Sequence, residues 1–362
     1  MRPAFTSTRQ AMMFGLLLLL LLLLPVMMCK SWLPPRQEIY SSLPWGVGAF
    51  PYLREQIFDE KEDMDLVFMG SSRIWWGIDT PQVQKALSEK LGRKAVVRTL
   101  AWDSPGLDPM YFIMRDLLEH RKVRVIVFSD CSMGGGNTAH PRAHAWFRWA
   151  DNAGDLTGLS SRSKISFYCS TVLGMPRNLL GLLRTNLPPV QSDEISWTGF
   201  EHIPNPSFRM GSLALRMRLD KPFTDYTPHT SASPSDVCIY SEATKPEFRF
   251  LENAISPMQA VFVSKMGALA REHNVKLVYV HLPESTEMKS TLIQEPAFWP
   301  GLVGSNLTMM GIAPAKLFGG LADEDILKLF FNSEHFNQNG QIYFTSVITP
   351  RLVQVYEDQT KP

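Results

Sequence analysis

Short apolar runs alternate with segments of helical period along most of the chain. Leu66 to Met69, Ala95 to Val97, Val123 to Phe128 and Val275 to Val280 are rich in Val, Ile, Leu and Phe. They are too short for helices and largely apolar on both faces, which predicts strands of a parallel sheet covered on both sides. A further run, Leu327-Lys328-Leu329-Phe330-Phe331, predicts a last strand. Between the runs, Thr80-Pro81, Asp108-Pro109 and Ser256-Pro257 each set a capping oxygen before a proline at the first helical position. The second of these helices carries Met110, Ile113, Met114, Leu117 and Leu118 on one face. The third carries Met258, Val261, Phe262, Met266 and Leu269 and ends at Asn274. Strand, helix and strand in alternation predict an α/β fold: a three-layer α/β/α sandwich with a mostly parallel, flavodoxin-like sheet and right-handed crossovers.

Two segments interrupt this rhythm, at about 131–255 and 285–326, and both are read as insertions leaving strand C-termini. In open α/β sheets ligands bind outside that edge. The expected organisation is a membrane anchor over 1–30, a Pro-rich juxtamembrane linker over 31–60, and one domain over 61–362 that carries both insertions. The anchor rests on the unbroken apolar run from Ala11 to Cys29, with Leu16 to Leu24 all leucine, close to the ~20 residues that span a bilayer. Arg2 and Arg9 precede it with no acidic residue, which favours a cytoplasmic N-terminus, while Lys30 and Arg36 reduce the asymmetry. A cleaved signal peptide is the alternative, although no small-x-small cleavage site follows. Met28 before Cys29 argues against lipidation, which wants a small residue there.

Charge and cysteine content narrow the partners. Thirty-six basic against 35 acidic side chains give a net charge of +1, with no electrostatic footprint for nucleic acid. Past the apolar run only Cys131, Cys169 and Cys238 remain, without zinc-site spacing; one disulfide is permitted and a disulfide scaffold is excluded. His140 and His144 have the spacing of a metal pair, but Pro141 lies between them and no third ligand is evident. Gly134-Gly135-Gly136 lacks the Gly-Lys-Ser/Thr of a phosphate loop. No cofactor is implied.

The candidate chemistry lies at the two ends of the predicted sheet. Ser72 follows the first strand in Val67-Phe68-Met69-Gly70-Ser71-Ser72-Arg73, and His335 follows the last in Asn332-Ser333-Glu334-His335-Phe336-Asn337. A serine hydroxyl is a poor nucleophile until a base takes its proton, and the base works best when a third group fixes its tautomer. Taken singly, Gly70-Ser71-Ser72 is also an ordinary turn, and His335 also fits the start of a helix capped by Asn337. Trp75, Trp76, Trp146 and Trp149 can stack on sugar rings, but a packing role is the preferred reading.

Together the motifs resemble the SGNH (GDSL-like) hydrolase superfamily. Its Gly-Asp-Ser, its glycine after the second strand, its Gly-x-Asn-Asp and its Asp-x-x-His correspond to Gly70-Ser71-Ser72, Gly106, Ser129-Asp130-Cys131-Ser132 and Asn332-Ser333-Glu334-His335. The Gly-Ser-Ser-Arg opening, with Gly77-Ile78-Asp79 behind it, and the His-Phe-Asn-Gln-Asn-Gly closing are most similar to membrane-linked members that acylate envelope polysaccharides, including the alginate O-acetylation proteins. The resemblance implies Ser72 as nucleophile, His335 as general base and Asn332 as the group that orients it. It implies the amides of Ser72 and Gly106 as oxyanion donors. Cys131 stands where the family has asparagine, so the third donor is either missing or comes from elsewhere, Asn137 being the candidate.

Asn332 stands where the family has aspartate; Glu334, Asp323 and Asp325 are the alternative carboxylates. The implied function is a membrane-anchored extracytoplasmic serine esterase or O-acyltransferase acting on acyl (acetyl) esters of a cell-envelope or exported polysaccharide. Its place would be the bacterial inner membrane, with the soluble domain in the periplasm. Its partners would be an acylated glycan or small acyl ester and a membrane-bound acyltransferase. The alternative is a catalytically silent SGNH-like module that binds glycan or such an acyltransferase.

Overall fold

The computed structural model describes residues 5–28, 35–42, 50–102, 106–129, 138–140, 143, 146–147, 153–185, 228, 230–241, 245–252, 255–303 and 306–360. In chain order the first elements are helices α1 (Thr8–Met28), α2 (Arg36–Ser42) and α3 (Phe50–Arg54), strand β1 (Met64–Gly70), helices α4 (Ser72–Gly77) and α5 (Thr80–Leu91), and strand β2 (Val97–Ala101). Then come α6 (Leu107–His120), β3 (Val123–Phe128), α7 (Ser161–Thr185), β4 (Cys238–Ile239), β5 (Phe248–Leu251), α8 (Pro257–Glu272) and β6 (Lys276–Val280). The chain closes with β7 (Ile293–Pro296), α9 (Phe298–Val303), β8 (Leu307–Gly311), α10 (Pro314–Leu317), α11 (Asp323–Leu327) and α12 (Gln338–Thr360).

Six strands form one sheet in the order β2-β1-β3-β6-β8-β4, with β5 and β7 in a separate parallel pair. Every pairing in the large sheet is parallel except β4 with β8 at the edge. All seven residues of β1 are buried, as expected of a strand covered on both faces. Gly70 pairs with Ala101 and Met69 with Phe128, so the loops after β1, β2 and β3 leave the same edge. From β1 the order runs to β2 on one side and to β3 on the other. That reversal creates the crevice where open α/β sheets bind ligands.

Strand limits shift slightly from the sequence expectation: the second strand starts at Val97 rather than Ala95, and the fourth at Lys276. Leu327 to Phe331 is not a strand. Leu327 ends α11, and Phe330 makes one isolated antiparallel bridge to Phe336. The place beside β6 goes instead to β8, inside the 285–326 segment, where Thr308 and Gly311 interrupt what would have been a recognisable apolar run. Caps also move. Asp79, not Thr80, caps α5 by accepting the Gln82 amide at 3.4 Å. Asp108 lies inside α6, buried, where it accepts His140 N at 2.8 Å and Gln259 Nε2 at 3.3 Å. Burial pushes its carboxyl up to about 6. Ser256 caps α8 as expected, and Asn274 follows the helix in the left-handed region at φ 54°.

The 31–60 segment contributes to the core through Ile39, Tyr40, Phe50, Leu53 and Ile57. Its Tyr40 hydroxyl donates to the buried Asp116 carboxylate of α6 at 2.8 Å, and Arg36 pairs with the same group. Trp75, Trp76 and Trp146 are core side chains, in keeping with a packing role, while Trp149 lies outside the described residues. Cys169 and Cys238 are free; Cys131 is not among the described residues.

Among the described residues no helix is long and apolar enough to cross a membrane. The transmembrane anchor expected over 1–30 is therefore not supported. Leu16 to Leu23 are all exposed.

Four rings fasten the segment between α11 and α12: Phe318 against Phe330 at 5.8 Å, Phe330 against Phe336 at 4.6 Å and Phe336 against Phe344 at 5.4 Å. Gly340 lies so close beneath this segment that a Cβ would overlap the Leu329 carbonyl and the Phe336 ring. Gly340→Ala is expected to destabilise the protein by roughly 1–3 kcal/mol, the usual range for overpacking, read as a lowered midpoint in thermal denaturation. An unchanged midpoint would show that the segment yields freely.

Candidate active site

Ser72 opens α4 directly beyond β1, with Ser71 as the cap: its hydroxyl accepts the Arg73 amide at 3.3 Å. The Ser72 amide thus sits at a helix start, where backbone donors lack intrahelical partners. The His335 ring arrives from the other end of the chain, and Nε2 lies 2.9 Å from Ser72 Oγ across a sequence separation of 263 residues. Its Nδ1 is 3.0 Å from Asn332 Oδ1, which also accepts the amides of Glu334 and His335, each at 2.9 Å. Two backbone N–H groups converging on this atom identify it as the amide oxygen, which can only accept. Nδ1 therefore carries the proton, and the Nε2 lone pair faces the serine hydroxyl.

The structure thus brings together Ser72, His335 and Asn332. Gly106 flanks the start of α6, on the loop that leaves the same sheet edge after β2. Asn137 lies outside the described residues, as does His144. Asn337 caps α12, its Oδ1 accepting the Gly340 amide at 3.1 Å, so cap and imidazole are different residues. Two of the three alternative carboxylates are engaged elsewhere: Asp323 with Lys289 and Asp325 with Lys328, both at 2.7 Å. Among the described residues no group of three or more His, Cys, Asp or Glu is placed to hold a metal ion.

His335 is buried, and burial followed by the charge of Arg73 lowers its pKa to about 4. It is neutral, and able to accept a proton, throughout the neutral range. Burial and Arg73 make it a weaker base than an ordinary histidine, and Asn332 supplies no negative charge to offset them.

Several residues around the site were not singled out from sequence. Arg73 pairs with Glu284 at 2.9 Å and donates to the Leu282 carbonyl, tying α4 to the loop after β6. The Ser285 amide donates to Ser333 O at 2.9 Å, tying that loop in turn to the His335 segment. His281, directly after β6, is buried with Nδ1 2.5 Å from Glu295 Oε1. Its position was readable, since it follows the predicted strand 275–280 at the ligand-binding edge; its partner Glu295, on the unpredicted β7, was not. A cavity of about 170 Å³ lies beside Arg73 and His281. A larger one, about 590 Å³, is lined by Met64, Val123 and Lys276 at the strand starts, the edge opposite Ser72, and shares no residue with this chemistry.

Comparison with known proteins finds no matching family model and no matching curated protein.

Proposed function

We propose that this chain is an SGNH-like serine esterase or O-acyltransferase, acting on acyl esters of a cell-envelope or exported polysaccharide. The observation that carries the reading is the alignment of Ser72 Oγ, His335 and Asn332 at 2.9 and 3.0 Å. His335 Nε2 takes the Ser72 proton as Oγ attacks the ester carbonyl carbon. The tetrahedral oxyanion is stabilised by the Ser72 and Gly106 amides, in the role such preorganised donors play in acyl transfer. Its collapse breaks the bond to the leaving alkoxide, which takes the proton from His335 and leaves an acyl-serine. Water or a sugar hydroxyl then attacks that acyl-serine, giving its proton to His335, and Ser72 Oγ departs with the proton returned.

A place at the periplasmic face of the bacterial inner membrane is part of the same reading. It draws on the apolar run 11–29 and on the exposure of Leu16 to Leu23. An acylated glycan and a membrane-bound acyltransferase are the proposed partners.

The second reading, a silent SGNH-like module that binds glycan or an acyltransferase, draws on the absence of a carboxylate at His335 Nδ1. A fluorophosphonate probe separates the two. The enzyme reading expects a covalent adduct on Ser72, located by peptide mass spectrometry, in the wild type and none in Ser72→Ala. A wild-type chain that stays unlabelled, with no Ser72-dependent release of p-nitrophenol from p-nitrophenyl acetate, sinks it and leaves the silent module.

A further inference from the structure

Arg73 and a second imidazole, His281, line one cavity, and that imidazole has a partner of its own. His281 Nδ1 contacts Glu295 Oε1, and the Tyr279 hydroxyl donates to the other carboxylate oxygen. Both side chains are buried to within a few per cent of completely. Gly311 makes the room: a Cβ there would come within 2.8 Å of His281 Cβ. The dyad is therefore held on the Nδ1 side, while Nε2 has no hydrogen-bond partner among the described residues and lies 3.6 Å from a Glu287 carboxylate oxygen. A buried imidazole nitrogen left without a partner costs free energy unless something completes it.

His281 and Glu287 both line the cavity of about 170 Å³, together with Arg73, Glu284, Gln294 and Glu295. At ~30 Å³ per water molecule it has room for about six waters, or for the edge of one small ring. The lining sets the chemistry of an occupant. An anion would meet three glutamates, and a cation would meet Arg73 and the imidazole. A hydroxyl both donates and accepts, so it satisfies the imidazole nitrogen and a carboxylate together without adding charge. Burial alone would depress His281, but Glu295 and Glu287 outweigh it and hold its pKa above the ordinary value, so the ring stays tightly held by Glu295.

Resting on the glycan-ester reading above, we infer that this recess is a subsite for a neutral, hydroxyl-bearing sugar ring of the substrate or acceptor, with His281 Nε2 hydrogen-bonded to its hydroxyl. Arg73 places the subsite next to the nucleophile, because its backbone follows Ser72 and its side chain lines the recess.

The test is a titration of the full chain in detergent with methyl β-D-glucopyranoside, read on the histidine imidazole nitrogens by NMR, for the wild type and for Ser72→Ala. A saturable shift of the His281 resonances in both proteins is expected. In His281→Gln, KM for an acetylated methyl glucoside should rise about tenfold, the equivalent of ~1.4 kcal/mol or one hydrogen bond. No shift of His281 in either protein overturns the subsite, as does a fall in kcat with KM unchanged. The titration of the unsubstituted chain decides the matter even where His281→Gln fails to fold. Ser72 labelled by fluorophosphonate without a sugar shift sinks the subsite and keeps the esterase; a sugar shift with Ser72 unlabelled does the reverse.

Discussion

Ser72→Ala and His335→Ala are each expected to lower kcat/KM for p-nitrophenyl acetate by about 10²-fold or more, and the double substitution to lower it no further. The size follows from two opposing magnitudes. In a fully charged triad, loss of either serine or histidine costs ~10⁶ in turnover. An asparagine in the acid position forfeits up to ~10⁴ of that before any substitution is made. What remains for the Ser72 and His335 pair is the quotient. Lack of additivity is the more discriminating result, because two residues that merely pack would show separate, summed effects. Equal activity in all four proteins would remove the serine site.

Asn332→Asp is expected to raise turnover, on the order of 10²-fold, and to move the acid limb of the pH profile upward. The oxygen that accepts from His335 Nδ1 and from two backbone amides is retained, and the surrounding N–H groups already suit a carboxylate. Because Asn332 already fixes the tautomer, only the missing charge is restored, and the gain stays below the ~10⁴ of the reverse change in a protease. In the wild type, His335 acts as a base only when neutral, so with its pKa at about 4 the rate should hold level from neutral pH and fall near pH 4. A carboxylate beside Nδ1 favours the imidazolium, which brings the fall toward the ordinary histidine value of 6.5.

The stability sign runs the same way. A histidine whose folded pKa lies below its unfolded one contributes fully above the unfolded value, 6.5, and loses that contribution as pH falls toward about 4. Stopped assays and denaturation midpoints between pH 3.5 and 8 check both. A variant with the wild-type profile and rate would mean that His335 takes no proton during turnover.

Strand positions were legible where both faces are covered, because burial on two sides leaves an uninterrupted apolar run, as in Leu66 to Met69. They were not legible at β8 or β4, where Thr308, Gly311 and a two-residue edge strand break that pattern. Leu327 to Phe331 misled for the converse reason: its Phe330 serves an aromatic stack rather than a sheet, and composition does not distinguish the two. Ser72 and His335 stood out because the alcohol and imidazole needed for acyl transfer each lie at a recognisable chain position. His281, Glu295 and Arg73 did not, since their significance lies in contacts remote in sequence, His281 with Glu295 across 14 residues and Arg73 with Glu284 across 211.

The guanidinium of Arg73 lowers the proton affinity of both His335 and His281. A change at that single position therefore moves two titrations together and in one direction. Selection acting on either imidazole through position 73 is bound to perturb the other, so substitutions at these three positions should be epistatic rather than independent.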